Sequence, residues 1–146
     1  MNTVTVKGVR GKAPKPMAER RMEALRVYTA LAAMCNGTAR REEWQDCADC
    51  VNMVEALAAM GKYNSTEVTP LVTAAIAGLM VAIKCPDGMM RMGAAATLAL
   101  RTLVTMYDEA LGDFSQATMH TAWRLAVRQI DAPTASESGG ISMVDA

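Results

Sequence analysis

The spacing of the four cysteines is the first feature of this sequence that could indicate a metal-binding site. Cys47 and Cys50 form a Cys-x-x-Cys pair, while Cys35 and Cys85 lie at the ends of neighbouring predicted helices. Four thiolates could in principle surround a zinc ion. Structural zinc sites usually present each cysteine pair on a tight turn, whereas this pair lies inside a predicted helix. Cys35 and Cys85 do not form a second pair, so the spacing argues against a metal site.

The same pair is also poorly placed for redox chemistry. A reactive thiol needs a helix N-terminus or a nearby cation to lower its pKa. Here Asp46 and Asp49 flank the pair and raise the thiol pKa values instead. We therefore predict that Cys47 and Cys50 are buried as small apolar side chains, and we assign no metal and no cofactor.

Three potential cations recur at every fourth position in the last predicted helix. His120, Arg124 and Arg128 could together bind a phosphate group or an acidic protein surface. Arg128 could equally serve only to complement the helix dipole near the helix C-terminus. Acid–base catalysis by His120 would need an orienting carboxylate or a nucleophile nearby, and the sequence identifies neither. We therefore treat the three residues as a candidate partner- or anion-binding site.

An acidic strip follows helical spacing in the second predicted helix. Glu42, Asp46 and Asp49 could offer carboxylates to a divalent cation. Metal-binding bundles place such residues inward, often with a Glu-x-x-His pair, and the single histidine has no glutamate at that spacing. We predict a solvated face, with a patch for a basic partner as the alternative.

The net charge is zero, but the charges are unevenly distributed along the chain. The first 28 residues carry seven basic and two acidic side chains, whereas the remaining 118 carry eight basic and thirteen acidic ones. A basic arm could contact nucleic-acid phosphates without reading sequence. The arm has no aromatic residues for stacking on single strands, and no recognition helix is convincing. The candidate phosphate contacts are Lys7, Arg10, Lys12, Lys15, Arg20 and Arg21.

Apolar residues recurring every three or four positions predict an all-α fold, a compact bundle of about five helices. The helix-bundle domain covers residues 17–131, between a flexible basic arm at 1–16 and a disordered tail at 132–146. In the first helix, Met22, Leu25, Tyr28, Ala32 and Cys35 share one face. The predicted helices span residues 17–35, 39–60, 66–85 (with Pro70 as an alternative start), 89–111 and 116–130.

The third predicted helix is apolar on all sides in its middle, which predicts a central, buried position. Ala74, Gly78 and Ala82 form a row of small residues at which we expect the closest helix–helix contact. The uncharged run 71–83 has 13 residues, short of the roughly 20 that span a bilayer, so we predict no membrane association. Wide apolar faces on the second and fourth predicted helices favour a homo-oligomer such as a homodimer.

One stretch of the second helix resembles a segment found in uncharacterised small proteins of proteobacterial phages and related mobile elements. The matching residues are those of 40–44 (RREEW), followed by Asp49, Asn52, Val54, Glu55 and Leu57. The resemblance covers about 20 residues and carries no functional residue with it. It implies a small accessory protein that acts inside a bacterial cell, where binding of host proteins is a common role.

The sequence contains no phosphate-binding glycine loop, no Gly-x-Ser-x-Gly elbow and no His-Glu-x-x-His motif. We therefore predict a non-enzymatic interaction protein, a phage-type or bacterial regulator or inhibitor that binds a host protein in the cytoplasm. One alternative is a nucleic-acid-binding accessory protein that uses the basic arm. Another is a small-molecule or nucleotide binder with a groove beside Arg124 and Arg128.

Overall fold

The computed structural model describes residues 17–131, which form five α-helices without a β-strand in that range. The predicted all-α bundle is therefore confirmed, whereas the predicted arm at 1–16 and tail at 132–146 lie outside the described residues. The helices are α1 (Met17–Asn36), α2 (Arg41–Ala59), α3 (Ser65–Ala82), α4 (Ala94–Asp113) and α5 (Gln116–Asp131).

Most helix boundaries follow from local capping chemistry. Gly37 ends α1 with a φ of 76°, a left-handed conformation that glycine adopts without strain. The side chain of Asn64 accepts a hydrogen bond from the Thr66 amide at 2.8 Å and so begins α3. Ser115 Oγ accepts from the Thr118 amide at 3.1 Å before α5. The N-cap residue of α2 is Arg40.

Both ends of α4 differ from the prediction, and the start differs for a tertiary reason. The helix begins at Ala94 instead of residue 89, because the Met90 amide donates to the Ala39 carbonyl at 3.2 Å and keeps this stretch extended. Gly112 lies inside α4 instead of ending it. The guanidinium of Arg20 occupies the space beside this glycine, where a Cβ would lie 2.6 Å from Nε.

The central helix is α2, so the prediction that α3 is central is wrong. Helix α2 packs against all four other helices, and eleven of its nineteen residues are buried. Only six of the eighteen residues of α3 are buried. Apolar content shows that a helix can be buried, but the number of neighbours decides whether it is.

Gly78 permits a close approach between α3 and α4. A Cβ at this position would lie only 2.2 Å from the Ala96 Cβ and 3.3 Å from the Met92 sulfur. Of its two companions in the small-residue row, Ala82 is buried and Ala74 is half-buried. The missing Gly78 side chain therefore makes room for Ala96 of α4.

The apolar face predicted on the first helix is present, but it is turned toward solvent. We call Met22, Leu25, Tyr28, Ala32 and Cys35 the α1 stripe, and all five are exposed. Met22 and Leu25 are 69% and 61% exposed. The buried side of α1 is a second apolar set, consisting of Val27, Ala30, Leu31 and Met34. Since both sets are apolar, the sequence does not distinguish the face that packs on α2 and α4.

Among the described residues, α3 alone has the length and apolar composition of a membrane-spanning helix. One third of its 18-residue window is buried within the bundle, and Val81 on its outer side is 63% exposed. The count of 13 uncharged residues therefore does not by itself exclude a membrane. A core helix of a soluble protein passes the same test, so the predicted lack of membrane association stays a prediction.

Candidate functional site

A cavity of about 360 Å³ opens where α1, α2, α4 and α5 meet. Its walls combine charged, aromatic and apolar side chains, a mixture typical of ligand pockets. Val27, Met53 and Met119 contribute to the apolar part of the wall. We call this cavity the acidic pocket, because three carboxylates line it. Its polar and aromatic lining residues are Glu23, Arg26, Asp46, Asp49, His120 and Trp123.

Arg26 organises the polar side of the acidic pocket. Its Nη2 donates to Glu23 Oε2 at 2.6 Å, and its Nη1 donates to Asp46 Oδ1. The Tyr107 hydroxyl donates to the same Glu23 oxygen at 2.7 Å. Burial alone would lower the pKa of Arg26, but Glu23 and Asp46 outweigh it and the pKa is raised. Burial raises the pKa of Tyr107, so its hydroxyl remains a donor.

Asp46 and Asp49 of α2 both line this pocket, and the prediction that their strip is a solvated face is wrong for Asp46. Asp46 is half-buried, because α1 crosses this side of α2 and places Arg26 opposite it. Loss of hydration raises the pKa of Asp46 despite Arg26. It also raises the pKa of Asp49 despite the hydrogen bond from Gln45 Nε2 at 3.0 Å. Glu42 and Asp49 are exposed, as predicted, and of these two only Asp49 lines the pocket.

Within residues 17–131, no basic side chain forms an ion pair with Asp49. Its carboxylate lines the pocket wall, and Arg26 acts on it only through a longer-range attraction that lowers its pKa. The hydrogen bond from Gln45 is neutral. Asp49 therefore offers the pocket a carboxylate that no basic side chain of residues 17–131 pairs with.

The structure separates the residues of the predicted cationic row. His120 lines the acidic pocket and stacks on Trp123, with ring centroids 6.1 Å apart and planes 28° apart. Arg124 and Arg128 are exposed and do not line the pocket. Residues four apart on an α-helix are rotated by roughly 40° from one another, so two steps carry Arg128 well away from His120.

His120 keeps an unused polar atom beside the acidic pocket. Its Nδ1 is buried and makes no hydrogen bond to any described residue. A buried ring nitrogen normally has a partner. The imidazole is therefore held by its stacking on Trp123 and not by a polar contact at Nδ1.

Most of the lining residues were not among the predicted site residues, including Glu23, Arg26, Tyr107 and Trp123. Glu23, Arg26 and Tyr107 come from α1 and α4, and no motif joins them to α2 in the sequence. The Glu23–Arg26 pair, three residues apart, was a visible local signal. The spacing of apolar residues along α5 would place Trp123 inward, but Trp123 is 54% exposed where it lines the pocket.

The cysteine pair is buried inside α2, which confirms the predicted burial. Cys47 and Cys50 are 0% and 2% exposed, whereas Cys35 is exposed and Cys85 half-buried. Burial raises the pKa of both Cys47 and Cys50. Among the described residues, no three histidine, cysteine or acidic side chains are placed to hold a metal ion together.

Thiol labelling of the native protein checks this arrangement. We expect Cys35 to react rapidly with a disulfide reagent, because it is exposed, while Cys47 and Cys50 react only after unfolding. A Cys35→Ser variant serves as the control, since it should lose the fast phase alone. Rapid labelling of two further thiols in that variant, without denaturant, would show that the pair is accessible.

The predicted nucleic-acid contacts fall into two groups. Lys7, Arg10, Lys12 and Lys15 lie outside the described residues. Arg21 is exposed at the start of α1, but Arg20 is half-buried with its guanidinium against Gly112. Nucleic-acid binding by this set stays a prediction. Within the set, the guanidinium of Arg20 already packs inside the protein.

Glu55 is a second partly buried carboxylate, on α2. Burial raises its pKa, and its Oε1 is buried without a hydrogen-bond partner among the described residues. A raised folded-state pKa means that the ionised form is disfavoured by folding. Glu55 therefore lowers the free energy of unfolding at pH values above its folded-state pKa, and it lowers this free energy less at pH values below it.

We expect Glu55→Gln to raise the melting temperature by a few degrees near pH 8, because the amide carries no charge to desolvate. The gain should shrink as the pH falls through the folded-state pKa of Glu55, since the wild-type carboxyl is then protonated. Thermal melts across a pH series measure this difference. Glu109→Gln, at an exposed position of α4, is the control and should show no such trend. A pH-independent loss of stability in Glu55→Gln would contradict the assignment.

Comparison with models of known protein families finds no match, and neither the curated proteins nor the solved structures give one. The geometry thus defines a small all-α protein with an acidic pocket and an uncovered apolar helix face. The resemblance to phage and mobile-element proteins stays a prediction from residues 40–57.

Proposed function

We propose that this chain is a non-enzymatic interaction protein that binds a protein partner through the α1 stripe. The setting implied by the sequence is that of a small phage-type or bacterial regulator or inhibitor acting on a host protein. The observation that carries the proposal is the exposure of Met22, Leu25 and their neighbours on one face of α1.

The dimensions of the α1 stripe suit a partner helix. From Met22 to Cys35 the stripe runs for roughly 20 Å along α1, at a rise of about 1.5 Å per residue. A contiguous apolar surface of this kind on a small protein is typical of an interaction site. A partner helix could lay its own apolar side chains along it at intervals of three and four residues.

The side chains of the α1 stripe also combine adaptable and fixed contacts. Met22 is unbranched and polarisable, so it can adjust to differently shaped partners. Tyr28 is held in place, because its hydroxyl donates to Asp108 Oδ2 at 3.2 Å. This combination favours a binding surface over an accidental exposure of single apolar residues.

The chemistry of the pocket supports a non-enzymatic role. The single histidine of the chain makes no hydrogen bond through Nδ1 to a described carboxylate that could orient it. The thiols of Cys47 and Cys50 are buried with raised pKa values, so they are poor nucleophiles. Binding, not bond-making, is what the described side chains support.

Affinity capture from a bacterial lysate tests the proposal when paired variants are used. The variant Met22→Glu/Leu25→Glu places two charges in the α1 stripe. The matched control, Val81→Glu/Leu98→Glu, places two charges at equally exposed apolar positions of α3 and α4. We expect wild type and control to recover the same partner and the stripe variant to lose it, while all three melt at similar temperatures.

Equal recovery by the stripe variant would refute the assignment of the surface, and a turnover activity without any partner would refute the proposed class. Light scattering on the same three proteins distinguishes a homodimer. A wild-type dimer that Met22→Glu/Leu25→Glu dissociates would identify a second copy of this chain as the partner in place of a host protein.

A further inference from the structure

The geometry points to a second binding function: the acidic pocket receives a small organic cation, a protonated amine, amidine or guanidinium group carried on an apolar body. This site lies apart from the α1 stripe, and it involves none of the five stripe residues. The inference therefore stands or falls independently of the proposed protein partner.

The charged residues that line the pocket favour a cationic ligand over an anionic one. Three carboxylates line the pocket, those of Glu23, Asp46 and Asp49, against the single guanidinium of Arg26. With a neutral His120 the lining carries a net charge of −2 when all three carboxyl groups are ionised. Arg26 is already bound to Glu23 and Asp46, so it has little capacity left for an anionic ligand. A nucleotide phosphate would be repelled here.

Asp49 supplies the specific contact for a cation. Its carboxylate has no ion-pair partner among the described residues, and loss of hydration raises its pKa. A ligand N–H cation placed against it would form a charge-assisted hydrogen bond, which is stronger than one between neutral groups. The same contact would offset the desolvation of the carboxylate.

The indole ring of Trp123 supplies a second contact that favours a cationic ligand. Trp123 exposes 54% of its side chain at the pocket and is held in place by stacking on His120. The face of an indole attracts ammonium and guanidinium groups. His120 Nδ1 makes no hydrogen bond to a described residue, so the imidazole is free of a polar restraint there when a ligand enters.

The remaining wall fits a compact apolar body. Val27, Met53, Leu111 and Met119 line the pocket beside the charged groups. The volume of about 360 Å³ lies at the lower end of the range for ligand sites. An aryl or short alkyl group bearing one cationic end matches this arrangement, with the apolar part against the methionines.

Two sources could supply such a cation. One is a free small molecule. The other is a lysine or arginine side chain from residues 1–16 of this chain, which include four basic and no acidic residues. This segment joins α1 at Met17, and Glu23 lies six residues further along, roughly 9 Å at the rise of an α-helix.

A titration series that varies only ligand charge tests the inference on the full-length protein. Benzamidine, benzamide and benzoate share one shape but are cationic, neutral and anionic. We expect benzamidine to shift the amide NMR signals of pocket residues in a saturable manner. Benzoate should bind at least about tenfold more weakly, which corresponds to roughly 1.4 kcal/mol. Equal binding of the three compounds, or none at all, would overturn the inference.

Two variants locate the cation within the pocket. Asp49→Asn is isosteric and removes the unpaired charge, and we expect about a tenfold loss of benzamidine affinity. Trp123→Leu should also weaken binding, through the lost aromatic face. Asp113→Asn, at an exposed position outside the pocket, is the matched control. Melting curves check that each variant is folded, and unchanged affinity in folded Asp49→Asn would contradict the assignment.

A further variant distinguishes the two sources of the cation. Replacing Lys7, Arg10, Lys12 and Lys15 by glutamine removes the positive charges of residues 1–16. If one of these side chains occupies the pocket, benzamidine affinity should rise severalfold in this variant. If free molecules are the ligands, affinity should stay the same. Either result upholds a cation site, whereas a loss of binding would show that the pocket does not act alone.

Discussion

Replacing Gly78 by alanine is expected to lower the free energy of unfolding by about 2 kcal/mol. The new Cβ would lie 2.2 Å from the Ala96 Cβ, so α3 and α4 must separate or shift. Overpacking of this kind costs roughly 1–3 kcal/mol, whereas alanine returns only about 1 kcal/mol over glycine through helix propensity. Because the obstacle is another Cβ rather than the end of a flexible side chain, we place the overpacking cost near about 3 kcal/mol, which leaves a net cost of about 2 kcal/mol after the propensity gain.

The double variant Gly78→Ala/Ala96→Gly tests the cause of this loss. Moving the methyl group from α4 to α3 removes the clash, so the double variant should be more stable than the sum of the single effects predicts, by at least about 1 kcal/mol. Gly93→Ala is the control, because nothing lies within 4 Å of a Cβ there. Urea denaturation followed by circular dichroism measures all four variants. Additive effects would show that Gly78 and Ala96 are not in close contact.

Replacing Trp44 by alanine is expected to cost about 3–5 kcal/mol, as for other large-to-small changes in a core. The Trp44 side chain is completely buried in α2, and its Nε1 donates to the Leu79 carbonyl of α3 at 2.8 Å. Total stabilities of small domains are typically about 5–15 kcal/mol. The variant should therefore be largely unfolded in moderate urea in which the wild type is folded.

Two further substitutions separate packing from the hydrogen bond. Trp44→Phe keeps most of the volume, and the Leu79 carbonyl still accepts from the Ile83 amide at 3.0 Å, so the loss should be smaller than for alanine. Trp123→Ala, at the exposed tryptophan, should cost under about 1 kcal/mol. Equal losses at positions 44 and 123 would contradict the placement of α2 at the centre of the bundle.

The sequence predicted the helices well because the signals that begin and end them are local. Gly37 ends α1 through its left-handed φ, and Ser115 caps α5 through its own side chain, both within a few residues of the helix concerned. Where the boundary depends on a distant residue, the prediction was wrong. The start of α4 depends on Ala39, whose carbonyl accepts from the Met90 amide and keeps that stretch extended.

The acidic pocket was not predicted because it is built across helices. Asp46 and Glu42 look equivalent in a single helix, and only the packing of α1 decides that Asp46 meets Arg26. His120 was identified as a site residue, but its partners were taken from its own helix. The pocket instead joins it to carboxylates of α1 and α2.

The proposed function depends on the claim that the fold leaves the α1 stripe uncovered, and methionine methyl NMR tests this directly. A soluble paramagnetic chelate broadens methyl signals in proportion to their exposure. We predict strong broadening for Met22, which is 69% exposed, and little for Met34 and Met53, which are 1% and 7% exposed. If the Met22 signal is protected as well as that of Met34, the stripe is covered in the free protein and the account is contradicted.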